Sequence, residues 1–421
     1  MIRLKEILMS SEVIFFIMVV FLCAEFMTER ILEGLNRQAM APDLPAVLKG
    51  IYEEKEYRRF QRYKKEGNRL DFFRSLFSFT IMIVFLIAGG FGWYNGWIVG
   101  LTDSLLWQTL GFVGGLSLVS FLLEIPFDMY ATFRIEEKYG FNRMTPKTYV
   151  TDTLKELLIS TLIGGVILSV VVGFYLWTGR WFWIYGWILI TLFSVGMVMF
   201  YSRLIVPLFN KQVPLEAGSL RDKIEAFVLK AGFRPDRIYV MDGSKRTTKA
   251  NAYFTGLGPK KRIVLYDTLL QELTEEEIVA VLAHEAGHAK KRHTLQMLGI
   301  SAVQTGLMLW LFSLLVNQPA LSQALGADRA YFQLGLIAFT LLYSPVNVML
   351  GLAVNAWSRK NEYEADAYVA SYAQGEFLIS GLKKISVKAL SNLTPHPAYE
   401  FVYYSHPSLL KRIKAIRKKE Y

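Results

Sequence analysis

Residues 274–293 read T-E-E-E-I-V-A-V-L-A-H-E-A-G-H-A-K-K-R-H. Thr274 with Glu277 three positions on forms a capping box, Glu275 and Glu276 suit the positive end of a helix dipole, and no proline follows, so a helix starts here. On that helix His284 and His288 stand four residues apart and project from one face, near enough to share a metal ion. The H-E-x-x-H spacing suits zinc, which takes imidazole and carboxylate in a tetrahedron and, with three protein ligands, keeps a fourth position for water. Glu285 is then the general base. The bland alternative is two surface histidines on a solvated turn, and a third ligand decides between the two.

Outward from this helix the composition changes the setting. Of 421 residues 53% are hydrophobic and the mean hydropathy is positive, which a soluble multidomain chain does not require. Uncharged stretches at 75–102, 104–123, 157–179, 181–202, 294–327 and 330–358 meet the ~20 residues one membrane span needs. A seventh, near 8–28, carries Glu12 and Glu25; no A-x-A-like cleavage site follows its apolar run, so it is kept as a span rather than a signal peptide. The expected fold class is a membrane all-α bundle of about seven helices with an α/β zinc-protease unit outside the bilayer. The net charge of +11 resides between spans, as topology signals do, and does not indicate nucleic acid. The single cysteine, Cys23, excludes an internal disulfide and a cysteine-based zinc site.

Charge alternates along the chain. The loop 29–71 is dense in Lys and Arg, the connector at Asp103 nearly neutral, 128–155 basic, the turn near Thr178 short, 203–293 basic, 317–329 nearly neutral, and 359–421 strongly basic. This predicts an outside or lumenal N-terminus and a cytoplasmic active site and C-terminus, with Arg3 and Lys5 a small mark against it. Four parts follow: 1–202 with spans one to five, 203–293 with the protease segment, 294–358 with spans six and seven, and 359–421 with the third ligand. Within 203–293, Leu220–Ala231 reads as an amphipathic helix, 237–241 and 262–266 as strands, and 250–258 as a short strand ending in a glycine turn. Glu25, Glu124, Asp128, Asn347 and Asn355, within or beside spans, fit either a polar cavity or buried interhelical hydrogen bonds.

For the third ligand, extended metzincin spacing fails, because Lys291 and Thr294 stand where glycine and histidine are needed; His293 is one residue off and is expected to point elsewhere. The run W-S-R-K-N-E-Y-E-A-D, 357–366, favours helix and puts Glu362 and Asp366 on one face, with Glu364 turned away. Glu362 is assigned as the ligand and Asp366 as the carboxylate that takes the other N–H of a zinc-bound imidazole. Two carboxylates four apart repel, which a cation or an arginine relieves.

With H-E-A-G-H at 284–288 and N-E-Y-E-A-D at 361–366 stand F-R-I-E-E-K-Y-G-F-N at 133–142, P-L-F-N-K at 207–211, D-G-S-K-R at 242–246, A-N-A-Y-F-T-G-L-G at 250–258 and Y-S-H-P at 404–407. Together they resemble the integral-membrane CAAX prenyl protease family, over nearly the full chain from about residue 50. The resemblance implies one zinc ion on His284, His288 and Glu362, catalysis by Glu285, and seven helices around a water-filled chamber in the membrane, capped by the zinc unit. It further implies that Asn251 belongs to an edge strand to which substrate adds, and that His406 donates to the developing oxyanion. From chemistry alone Asn251 is equally a turn residue, and His406 a helix-start histidine before Pro407. Arg412 and Arg246 are candidate charges behind the site, and His396 reads as a loop residue.

The sequence therefore reads as an integral-membrane zinc metalloendopeptidase, with a peptide or protein substrate, prenylated in the CAAX case, and membrane lipid as partners. A membrane peptidase indifferent to prenyl groups, and a transporter or scaffold with structural zinc, are the alternatives. An intact Glu285 and the lack of a fourth protein ligand weigh against the last. Bacterial plasma membrane and endoplasmic reticulum both fit, and no oligomeric state is assigned.

Overall fold

A computed structural model describes residues 10–232, 237–256, 262–372 and 374–420. The start of the 8–28 span, Arg3 and Lys5, and residues 257–258 of the glycine turn lie outside the described residues. The helices and strands in chain order are α1 (Ser11–Gln38), α2 (Glu54–Ile87), α3 (Gly90–Leu101), α4 (Leu105–Tyr130), α5 (Pro146–Thr178), α6 (Phe182–Leu204), β1 (Gln212–Pro214), α7 (Ser219–Lys230), β2 (Ile238–Met241), β3 (Ala252–Thr255), β4 (Arg262–Tyr266), α8 (Asp267–Glu272), α9 (Glu275–Lys290), α10 (His293–Leu315), α11 (Pro319–Ala324), α12 (Phe332–Ala370), α13 (Gly375–Lys388), α14 (Pro397–Tyr403) and α15 (Leu409–Glu420).

Seven of these, α1, α2, α4, α5, α6, α10 and α12, are long and apolar enough to cross a membrane. The 64 residues Pro146–Phe209 count as one apolar stretch, but a rod of that length would be roughly 96 Å against a hydrocarbon core of ~30 Å. Gly179, at φ 55°, breaks it into α5 and α6. In the most apolar window of each stretch only 6–11% of residues are buried. Helices this sparsely packed touch neighbours along narrow seams and leave most of their surface to lipid or to an interior space. The seams are specific: Trp187 Nε1 on α6 donates to the Ala302 carbonyl of α10 at 2.8 Å, and Gly306 makes room for the indole. Asn95 and Gln333 bury one hydrogen bond of 2.7 Å between α3 and α12.

Four expected boundaries shift. Gly89, at φ 68°, ends α2 and turns the chain into α3, so 75–102 is not one helix. The charged part of 29–71 is no detached segment either; α2 begins at Glu54 and runs from that charged stretch into the apolar one. The 294–327 stretch stops as a helix at Leu315 and restarts as α11 at Pro319, a proline at its first position. Most consequential, α12 does not stop at 358: its 39 residues extend roughly 58 Å, so the last span itself carries 359–370 out to the zinc unit.

Outside the spans, the strands pair in the order β1-β2-β4-β3, with β2 and β4 parallel and both outer pairs antiparallel. Strand β3 therefore lies at an edge. The sheet, α7, α9, α13 and α15 share one apolar core with Tyr57 and Phe60 of α2 and with Ile135, Tyr139 and Phe141. The loops between spans are thus part of the protease unit. Helix α9 runs through its middle, capped as the sequence predicts: Thr274 Oγ1 accepts from Glu277 N at 3.3 Å and Thr274 N donates to Glu277 Oε2 at 2.9 Å.

Candidate metal and catalytic site

Helix α9 presents His284 and His288, and α12 crosses it closely enough to present Glu362. The close crossing depends on small residues. Ala283, Ala286 and Ala365 are fully buried, and a Cβ on Gly287 would meet the Ala365 Cα at 3.0 Å and the Tyr368 Cβ at 3.2 Å. Glycine inside the H-E-x-x-H motif is therefore a packing requirement.

The three side chains converge. His284 Nε2 and His288 Nε2 are 3.1 Å apart, His284 Nε2 lies 3.4 Å from Glu362 Oε2, and His288 Nε2 lies 3.3 Å from Glu362 Oε1. Four ligands about 2.0 Å from a tetrahedral zinc are separated by about 3.3 Å, which is the spacing found. Glu362 Oε2 is buried without a hydrogen-bond partner, as an atom reserved for a cation would be.

Each imidazole is held from behind. His284 Nδ1 lies 3.0 Å from Asp366 Oδ1, so its N–H donates there and its Nε2 lone pair faces the cluster. Arg412, buried on α15, grips Asp366 at 2.7 and 2.9 Å and approaches Glu362 Oε2 at 3.6 Å. It relieves the repulsion between the two carboxylates. Burial and Arg412 lower the proton affinity of His284, but Asp366 and Glu362 outweigh them and raise its pKa to about 9. The same negative field favours a metal cation at Nε2.

His293 corrects the sequence reading. It does not point elsewhere: its Nδ1 lies 2.9 Å from His288 Nδ1, and its Nε2 lies 3.3 Å from Glu364 Oε2. Glu364, expected to turn away, anchors this second chain. The arrangement is consistent if His288 Nδ1–H donates to His293 and His293 Nε2–H donates to Glu364, leaving His288 Nε2 free for metal. The missed cause is local: Arg292, at φ 58°, turns the chain sharply between α9 and α10 and folds His293 back onto the motif.

A cavity of about 1230 Å³ opens over the cluster, lined by Glu285, Asn251, His406 and Arg412 and reaching membrane-helix residues such as Val198 and Ser301. Half-buried Glu285 faces this space. His406 is exposed, with Nε2 3.2 Å from Glu362 Oε1 and Nδ1 3.0 Å from Ser405 Oγ. Asn251 precedes β3; its carbonyl accepts from Tyr266 N at 3.0 Å and its side chain from Ala252 N at 2.8 Å. Ala252 and Phe254 of β3 line the same cavity.

Other candidates sit apart. Arg246 is not at the metal cluster; it pairs with Asp152 at 2.8 Å, joining β-unit to α5. His396 caps α14 through Nδ1. Glu25 bonds Ser344, Asn355 donates to the Val402 carbonyl at 2.7 Å, and Arg74 bridges Glu124 and Asp128 at 2.5 and 3.3 Å, so these polar groups tie helices together.

A multispan bundle whose last helix delivers a carboxylate to an H-E-x-x-H helix defines an integral-membrane zinc metallopeptidase. The comparisons with known proteins agree. The profile described as CAAX prenyl protease N-terminal, five membrane helices, matches residues 35–211, and that of peptidase family M48 matches 214–420. CAAX prenyl protease 1 of Saccharomyces cerevisiae is 31% identical over 94% of this chain and 93% of its own length. The Homo sapiens CAAX prenyl protease 1 homolog is 30% identical over 89% and 88%. The crystal structure of S. mikatae Ste24p superposes with a TM-score of 0.91 at 31% identity, over 96% of this chain and 99% of that one. The chain belongs to the CAAX prenyl protease branch of peptidase family M48.

Proposed function

We propose that this protein hydrolyses peptide bonds near the C-terminus of CAAX-type, prenylated polypeptides, with one zinc ion held by His284, His288 and Glu362. The observation that carries the reading is the triangle of ligand atoms at tetrahedral-edge spacing, with a buried Glu362 oxygen that has no hydrogen-bond partner. Zinc bound there supplies an acidified water and a Lewis acid for the scissile carbonyl. Glu285 takes the proton of the attacking water and passes a proton to the leaving amine. His406, exposed on the cavity side, donates to the oxyanion, while Asp366 fixes the tautomer of His284.

Substrate binding falls to Asn251 and β3. An edge strand lining the cavity offers backbone hydrogen bonds to an extended peptide, and register then sets which bond meets the catalytic groups. The cavity's continuation between membrane helices suits a lipidated tail. The charge pattern supports an outside or lumenal N-terminus with the active site and C-terminus in the cytoplasm. The chain is then divided as 1–202, 203–293, 294–358 and 359–421, the third part running without a break into the fourth along α12.

The test is cleavage of matched farnesylated and unfarnesylated peptides by the detergent-purified chain, with and without a zinc chelator. Chelator-sensitive cleavage that requires the lipid supports the reading. Equal cleavage of both peptides replaces it with a membrane peptidase indifferent to prenyl groups.

A further inference from the structure

Away from the catalytic cavity, a groove of about 580 Å³ lies between α1 and α2 where their charged ends meet their apolar ends. Two facing helical stripes line it. Helix α1 contributes Arg30, Glu33, Gly34 and Arg37, and α2 contributes Lys65, Asn68, Arg69, Phe72 and Phe73. Stacking of Phe26 on Phe79, with centroids 4.2 Å apart, joins the helices deeper in the membrane. Gln61 ties α2 to the Ala41 and Pro42 carbonyls at 2.6 and 2.9 Å at the opposite end.

The charges in this groove are not balanced. Arg30 is committed to Glu29 and Glu33 at 2.9 and 2.8 Å, yet its Nε is buried without a hydrogen-bond partner. Arg37, Lys65 and Arg69 have no carboxylate within ion-pair distance among the described residues, while Arg58 and Arg59 nearer the start of α2 are paired. Three cations without a carboxylate partner thus line one space, Arg69 lying over the Phe73 ring at 5.8 Å, with Asn68 beside them and exposed Phe72 and Phe73 at its apolar end. Gly34 leaves the floor open, with nothing within 4 Å of where a Cβ would stand. Scattered topology charges would not need a glycine opposite them or aromatic rings below them.

We infer that this groove binds the phosphate headgroup of an anionic phospholipid, with Arg37, Lys65 and Arg69 on the phosphate and Phe72 and Phe73 against the first acyl carbons. Basic side chains near a membrane surface each attract anionic lipid by an amount that, over three residues, multiplies to roughly 10- to 100-fold in affinity.

The test is native mass spectrometry of the full chain titrated with phosphatidylglycerol, phosphatidylcholine or glycerol 3-phosphate. Phosphatidylglycerol should bind more tightly than either, and its affinity should fall roughly 10- to 100-fold in Arg37→Gln/Lys65→Gln/Arg69→Gln. Gly34→Leu, which fills the floor without altering charge and whose Cβ meets nothing within 4 Å, should weaken binding too. A control, Lys414→Gln/Lys418→Gln/Lys419→Gln on the terminal helix, should leave it unchanged. Equal loss in both triple variants, unchanged binding in Gly34→Leu, or no preference over phosphatidylcholine would each overturn the assignment. Glycerol 3-phosphate binding as tightly as the lipid would transfer the site to a soluble phosphate ester and refute the lipid. Thermal unfolding of each variant in detergent separates lost binding from lost folding.

Discussion

Replacing Gly287 by alanine isolates the packing that assembles the metal cluster. The new methyl carbon would stand 3.0 Å from the Ala365 Cα and 3.2 Å from its carbonyl oxygen, both backbone atoms of the helix that carries Glu362. Ordinary carbon contacts begin near 3.5 Å, so α12 must retreat from α9 by several tenths of an ångström. Overpacking of this kind costs about 1–3 kcal/mol, while removing a helical glycine returns about 1 kcal/mol. The net change in stability is a loss of about 0–2 kcal/mol, too small to unfold the protein. The metal site is less forgiving, because the retreat acts directly on separations of 3.3 and 3.4 Å between histidine nitrogens and Glu362. Zinc affinity, measured by competition with a chromophoric chelator, should drop on the order of tenfold or more, as it does when ligand orientation is disturbed. Gly299→Ala is the control: its Cβ meets nothing within 4 Å, and affinity should hold. Wild-type zinc affinity in Gly287→Ala would refute the claim that this close approach sets the ligand geometry.

Three further outcomes follow from the same contacts. His293→Phe keeps the ring but removes both hydrogen bonds behind His288, so zinc affinity should fall about 10- to 100-fold with little change in thermal stability; Glu364→Gln should act in the same direction more weakly. Asp366→Asn leaves Arg412 and His284 without their shared anion, and should lower both zinc affinity and stability, by about 3–5 kcal/mol for the broken buried pair, read by chelator competition and calorimetry. Burial raises the pKa of Glu277, but Lys384, Ser380 and the Thr274 backbone hold it below its ordinary 4.5. Its contribution to stability is therefore complete above pH 4.5 and lost as pH falls through the lower folded value, so Glu277→Gln should flatten the acid limb of a melting-temperature profile.

The sequence carried most of the fold because its strongest signals are physical and local. Thr274 and Glu277 cap the helix they predict, and apolar length finds the six long stretches that contain the spans. The convergence of His284, His288 and Glu362 was legible for the same reason, since spacings of four on helices put His284 with His288 and Glu362 with Asp366. Boundaries failed where a single glycine dihedral decided them, at Gly89, or where a span simply continued, beyond 358. His293 was misplaced because helical periodicity does not extend across the αL turn at Arg292. Arg412 and Arg246 looked alike in sequence, and only the folded chain separates one behind His284 from one beside Asp152.

The proposed function places hydrolysis at the His284–His288–Glu362 cluster, with Glu285 handling the proton. Glu285→Gln tests it most directly, with zinc content and peptide cleavage measured on the same purified sample. One zinc ion per chain is expected in both proteins, with a loss of cleavage of about 10²-fold or more in the variant. Cleavage that persists in Glu285→Gln with its zinc retained would contradict it.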